Sequence, residues 1–148
     1  GLSHLVASYA IGALIGSITM ALLPIRSYPA RFMVCNIFLM HIVILFLGQV
    51  DTKLAGQLIL ATAGFVQSLA MISMAVTLLN IADEKFRGLV MGVRMLAVYG
   101  LPVGLIGSGL LIEWFGYSNT VTLYGVGGLI VSCVIAFKWR KQLWWSSM

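Results

Sequence analysis

Five long apolar runs constrain this chain more than any other feature of its sequence. They cover roughly residues 2–23, 32–48, 54–80, 89–112 and 120–137. A helix of about 20 apolar residues crosses a hydrocarbon core of about 30 Å, so each run can span it, the longest by tilting or protruding. Lipid offers no partner for backbone N–H and C=O groups, which leaves helices or a closed barrel. The runs lack the strict alternation of barrel strands. The sequence therefore predicts an all-α membrane protein with five transmembrane helices. Only 9% of the residues are charged, against about 25% in soluble domains, which excludes a water-soluble globule. The net charge of +5 does not point to nucleic acid, because the bases sit between apolar runs rather than on one soluble face. Their expected partner is the headgroup layer of the bilayer.

The same bases predict the orientation. Arg26, Arg31, Lys85, Arg87, Lys138, Arg140 and Lys141 fall in the first and third connections and the tail, whereas the second and fourth connections hold Lys53 alone. The positive-inside rule then puts the C-terminus in the cytoplasm of an inner or plasma membrane protein and residue Gly1 at the outer face. Tryptophans agree: Trp114 ends the fourth run, and Trp139, Trp144 and Trp145 follow the fifth, all at expected interfaces. The tail after the fifth run either lies on the anionic inner leaflet or is a plain stop-transfer flank. Cys35 and Cys133 lie inside apolar runs and read as packing residues. The chain opens on glycine and enters an apolar run with no basic leader, which reads as a piece of a longer protein.

The stretch 83–109 carries the most information. It opens with four charges in five residues, Asp83, Glu84, Lys85 and Arg87, and then turns apolar. Gly88, Gly92, Gly100, Gly104 and Gly107 recur along one drifting helical stripe, the pattern that lets helix backbones approach in lipid. Gly12 and Gly16 repeat the spacing in the first run. Pro102 lacks a backbone donor, so a bend is expected there. A charged hinge before a bendable, glycine-faced span suggests a moving part.

The string Asp83-Glu84-Lys85-Phe86-Arg87-Gly88-Leu89-Val90-Met91-Gly92 resembles the acidic-then-RGRVMG segment before the eleventh helix of major facilitator superfamily transporters. Gly100-Leu101-Pro102-Val103-Gly104 resembles the G-x-P-x-G run of that helix, and Trp114-Phe115-Gly116-Tyr117 the short outer loop after it. Ala10-Ile11-Gly12-Ala13-Leu14-Ile15-Gly16 is similar to the helix before the family's cytosolic loop between spans eight and nine. Two departures stand out. The first loop has no acid, and Leu89 replaces the second arginine of the family segment. The resemblance implies that residues 1–148 are spans eight to twelve of a twelve-helix transporter, a fragment of its C-terminal bundle. It also implies a partner N-terminal half upstream that holds the coupling carboxylates, with a proton as coupling ion.

Nothing in the sequence suggests an enzyme, a metal site or a cofactor: there is no Ser/His/Asp set, no paired intramembrane carboxylates and no His/Cys cluster. Arg94 is the sharpest residue, one heptad and roughly 10 Å beyond Arg87 on the same helical face. It either attracts an anionic solute or lines a vestibule, or it snorkels to headgroups or pairs with an acid. Gln67, Met71, Met74 and Leu78 share one face of the third run. The resemblance makes that face a cavity wall for an apolar solute; the structural alternative is core packing with one interhelical hydrogen bond. Tyr9 and Tyr99 could offer rings and hydroxyls to a cavity, or simply pack. His41 is either a proton relay or, as favoured, a hydrogen-bonded structural histidine. Arg87, Gly88, Gly92, Gly100, Pro102 and Gly104 are the candidate gating and helix-packing residues. The expected function is alternating-access transport of a small solute, leaning to efflux of a drug or metabolite. Uptake of a small polar or anionic nutrient and a non-transporting assembly protein are the alternatives.

Overall fold

The computed structural model describes residues 2–22, 29–138 and 140. Gly1, the first-loop residues Arg26, Ser27 and Tyr28, and the tail residues Trp139, Lys141, Trp144 and Trp145 lie outside them. The described residues form helices α1 (Leu2–Leu22), α2 (Pro29–Leu47), α3 (Lys53–Ile81), α4 (Arg87–Tyr99), α5 (Leu101–Phe115) and α6 (Tyr117–Lys138), with a short 3-10 turn at Glu84–Phe86. No strand occurs among them.

The apolar runs become helices because a helix closes its backbone hydrogen bonds internally, and their short polar side chains turn back onto that backbone. Ser8 Oγ donates to the His4 carbonyl, Thr19 Oγ1 to Ile15, Asn36 Nδ2 to Phe32, Ser73 Oγ to Leu69 and Thr77 Oγ1 to Ser73, all at 2.7 to 2.9 Å. Each of these five groups finds its acceptor within its own helix, which suits a segment facing lipid. Four of the helices are long and apolar enough to cross a membrane: Ser3–Leu22, Ala30–Leu47, Lys53–Ile81 and Tyr117–Lys138.

The fourth predicted span is interrupted at Gly100, two residues before Pro102. Residues 89–112 do not form one helix but most of α4, a one-residue turn at Gly100, and most of α5. Pro102 explains the interruption. It has no N–H for the carbonyl four residues back, and its ring fits the first turn of a new helix, where no intrahelical donor is needed. With 13 and 15 residues, α4 and α5 are about 20 and 22 Å long, each short of a hydrocarbon core of about 30 Å.

α3 is the central element. It packs against α1 and α2, α2 also packs against α6, α4 touches α3, and α5 touches α6. Ala63, Val66, Leu69 and Ala70 of α3 form most of the small apolar core, completed by Met20 and Val43. α1 runs parallel to α3, with Gly12 against Ala61 and Gly16 against Phe65, a four-residue step matched on both helices. Gly64 returns the contact against the Tyr9 carbonyl and Ala13. α2 and α6 are antiparallel, with Leu45 on Gly125 and His41 on Gly128.

One hydrogen bond fixes the course of the second half. Ser118 Oγ, at the start of α6, donates to the Gly48 carbonyl, just past the end of α2, at 2.8 Å. The starts of α3 and α6 therefore share one end of the bundle. The 29 residues of α3 carry the chain about 43 Å away from that end. The α4–α5 pair must bring it back. Gly116, with φ of 80°, closes α5 in a conformation that L side chains rarely adopt, and its N–H caps the Ile112 carbonyl at 2.9 Å. By this topology Arg31, Lys85, Arg87, Lys138 and Arg140 gather at the opposite end.

Large apolar side chains remain on the outside. Leu22, Leu58, Leu96, Ile106 and Phe137 are each at least 63% exposed. In water such a surface would aggregate; lipid or further helices are the partners that suit it.

Candidate functional site

A groove of about 710 Å³ lies between α3 and α4. Its size falls within the range of about 300 to 1,000 Å³ usual for small-molecule sites. α3 supplies Gln67, Met71, Met74 and Leu78, whose spacing of four, three and four residues makes one helical stripe. α4 supplies Leu89, Val90, Val93, Arg94 and Val98. The structure thus brings Gln67, Met71, Met74 and Arg94 to one cavity.

Two arginines tie α4 to α3. Arg87 Nε donates to the Leu79 carbonyl at 3.2 Å, and its Nη1 lies 3.8 Å from Glu84 Oε1. Leu79 is in the last turn of α3, where carbonyls lack intrahelical donors, so Arg87 acts as a side-chain cap that also suits the helix dipole. One heptad on, Arg94 Nη2 reaches the Met71 carbonyl at 3.4 Å and Met71 Sδ at 3.8 Å. The first contact is longer than the usual 2.7–3.2 Å, and a thioether is a weak acceptor. Arg94 Nε is buried and has no hydrogen-bond partner. Among the described residues no carboxylate pairs with Arg94. Among the described residues the hydrogen bonds of Arg94 go to Met71. The guanidinium is half-buried against the groove with one donor unused.

The other candidates lie elsewhere. Tyr9 is half-buried on α1, with its backbone against Gly64. Tyr99 is 77% exposed and outside the groove lining. Gly100 forms the turn between α4 and α5, and Pro102 follows it, exposed. Gly12 and Gly16 make the close helix contact that their spacing predicts. Gly88, Gly92 and Gly104 do not: a Cβ built on any of them meets nothing within 4 Å. Within this chain the α4–α5 glycine stripe is an unfilled face, because no helix of the described residues runs alongside it. Among the described residues no group of three or more His, Cys, Asp or Glu is placed to hold a metal.

The apolar groove residues of α4, Leu89, Val90, Val93 and Val98, and the notches at Gly64, Gly125 and Gly128 escape sequence reasoning. An apolar helix face does not name the helix it will meet, and Gly125 with Gly128 breaks the four-residue spacing that flags a small-residue seam. His41 is explained by that notch. Its Nδ1 lies 2.7 Å from the Ile37 carbonyl, which can only accept, so Nδ1 carries the proton. The ring edge fills the space that a Cβ on Gly128 would need. Gly128→Ala is expected to cost about 1–3 kcal/mol by overpacking. His41→Ala in the same chain should recover part of that loss, read from thermal unfolding of the purified protein in detergent and treated as a double-mutant cycle. Strict additivity of the two changes would show that the contact carries no energy.

No family model, no curated protein and no solved structure matches the chain.

Proposed function

We propose that this chain forms one wall of a secondary transporter of the major facilitator type and moves a small, partly apolar solute by alternating access, in the direction of efflux. The observation that carries the reading is the convergence of Gln67, Met71, Met74 and Arg94 on one groove of about 710 Å³. A flexible methionine face suits solutes of varied shape. The interrupted α4–α5 segment beside it offers a place for the wall to flex. In this reading α4 and α5 together make the fourth of five membrane crossings. The basic end of the bundle, with the C-terminus, faces the cytoplasm of an inner or plasma membrane. An upstream half supplies the opposite wall and the groups that handle a coupling proton.

Two other readings have observations in their favour. The unpaired Arg94 donor favours uptake of an anionic nutrient. The open faces at Gly88, Gly92 and Gly104 favour a membrane protein whose function is assembly with other helices.

Reconstitution of the full-length protein in proteoliposomes separates them. One of ethidium, 2-naphthoate or chloramphenicol, a cation, an anion and a neutral solute, is expected to cross. Met74→Trp, which fills the groove, should slow that movement at least severalfold with no loss of thermal stability. Movement unchanged by both Arg94→Ala and Met74→Trp would remove the assigned site. No movement of any probe would leave the assembly reading in place.

A further inference from the structure

Resting on the reading of the groove as a solute site, we propose that its solute is an amphipathic monoanion: a carboxylate or sulfonate on an apolar body, with the anionic group held by Arg94. Three observations carry this. Among the described residues that line the groove, Arg94 is the one ionisable side chain and Gln67 the other polar one. No carboxylate balances Arg94 among the described residues: Glu84 lies beside Arg87, and Asp51, Asp83 and Glu113 are exposed in the connections or at a helix end. The Arg94 Nε is buried with no acceptor, and the acceptors its Nη2 does reach are distant, at 3.4 and 3.8 Å.

A guanidinium presents Nε–H and Nη–H as a parallel fork that matches two oxygens of one anion. Met71 engages the fork only at Nη2. An anion entering the groove would supply the acceptor that Nε lacks and neutralise a charge set among Leu89, Val90 and Val93. A neutral solute of the same shape would leave the donor unsatisfied. A cationic one would meet a like charge in a medium that screens poorly. A second negative charge on the solute would find no further cation among the described groove residues, where Gln67 is neutral, so a single charge fits best.

The test is equilibrium dialysis of the full-length protein in phosphatidylcholine nanodiscs against 2-naphthoate, 2-naphthylmethanol and 2-naphthylmethylamine, which share one apolar body. Relative to empty nanodiscs, 2-naphthoate should bind at least about tenfold more tightly than the alcohol, and the amine weakest. Arg94→Gln should abolish the preference and Arg94→Lys should keep part of it. Equal binding of alcohol and carboxylate, or a preference that survives Arg94→Gln, would overturn the proposal. Loss of 2-naphthoate binding when phosphatidylglycerol is included would assign the groove to lipid and also overturn it. Should Arg94→Gln not accumulate as folded protein, the wild-type ranking of the three probes decides alone. Ranked binding with no probe crossing a vesicle wall would end the transport reading and support this one. Movement of ethidium with no 2-naphthoate binding would do the reverse.

Discussion

Gly12→Ala and Gly64→Ala are each expected to destabilise the protein by several kcal/mol, toward and beyond the upper end of the about 1–3 kcal/mol usual for overpacking. At Gly12 the added methyl would meet the carbonyl, carbon and Cα of Ala61, the last at 2.9 Å. At Gly64 it would meet the Tyr9 carbonyl and the Ala13 nitrogen, the latter at 3.0 Å. These are backbone atoms. They cannot rotate aside as a side chain can, so α1 and α3 would have to separate along their whole parallel seam. Leucine at either position should prevent accumulation of folded protein. The measurement is thermal unfolding in detergent, followed by size-exclusion profile. Gly88→Ala and Gly104→Ala are the controls. Both positions are helical with open space around them, so alanine should be neutral or should gain about 0.5–1 kcal/mol of helix propensity. Equal shifts at Gly12 and Gly88 would show that the α1–α3 seam is not where the bundle is tight.

The second large effect is expected from straightening α4 and α5. Pro disfavours a helix interior by about 3 kcal/mol and Gly by about 1, so Gly100→Ala with Pro102→Ala should favour the continuous helix by about 4 kcal/mol, roughly a thousandfold in population. The carbonyl of Val98 would gain the donor at position 102 that Pro102 cannot supply, and Val98 is itself part of the groove wall. Spin labels at Gly88→Cys and Leu110→Cys should then report one narrow distance near 33 Å, the length of 22 residues of unbroken helix. Under the proposed function the transport rate should fall by on the order of tenfold, because a rigid rod cannot flex beside the solute. A straightened helix that transports at the wild-type rate would remove the bend from the mechanism.

Much of the fold is legible in the sequence. The runs at 2–23, 32–48, 54–80 and 120–137 match Leu2–Leu22, Pro29–Leu47, Lys53–Ile81 and Tyr117–Lys138 to within three residues. Apolarity over a span length is a property of consecutive residues, and lipid forces any such segment to close its own hydrogen bonds. The interruption is equally legible, since Pro102 lacks its donor wherever it sits. The α3 wall of the groove follows from the period of Gln67, Met71 and Met74. Its location away from Tyr9 and Tyr99 does not, because nothing local says which face of α3 meets α1 and which meets α4.

Spacing alone could not rank the glycines. Gly12 with Gly16 and Gly88 with Gly92 are the same motif, yet the first pair is pressed against α3 and the second faces open space. A small residue permits a close approach; it does not supply the helix that approaches. Arg94 shows the same division. The sequence put a cation in an apolar segment, which dictates that it be exceptional. Only the packing of α4 against α3 decided that it meets the Met71 carbonyl instead of an acid, with Nε left over. Length, apolarity and proline act on a residue's immediate neighbours and so were written in the chain. The seams, the groove and the unused donor depend on which surfaces of separate helices meet, as Arg94 meets Met71 across 23 residues of sequence, and that is settled when the helices assemble.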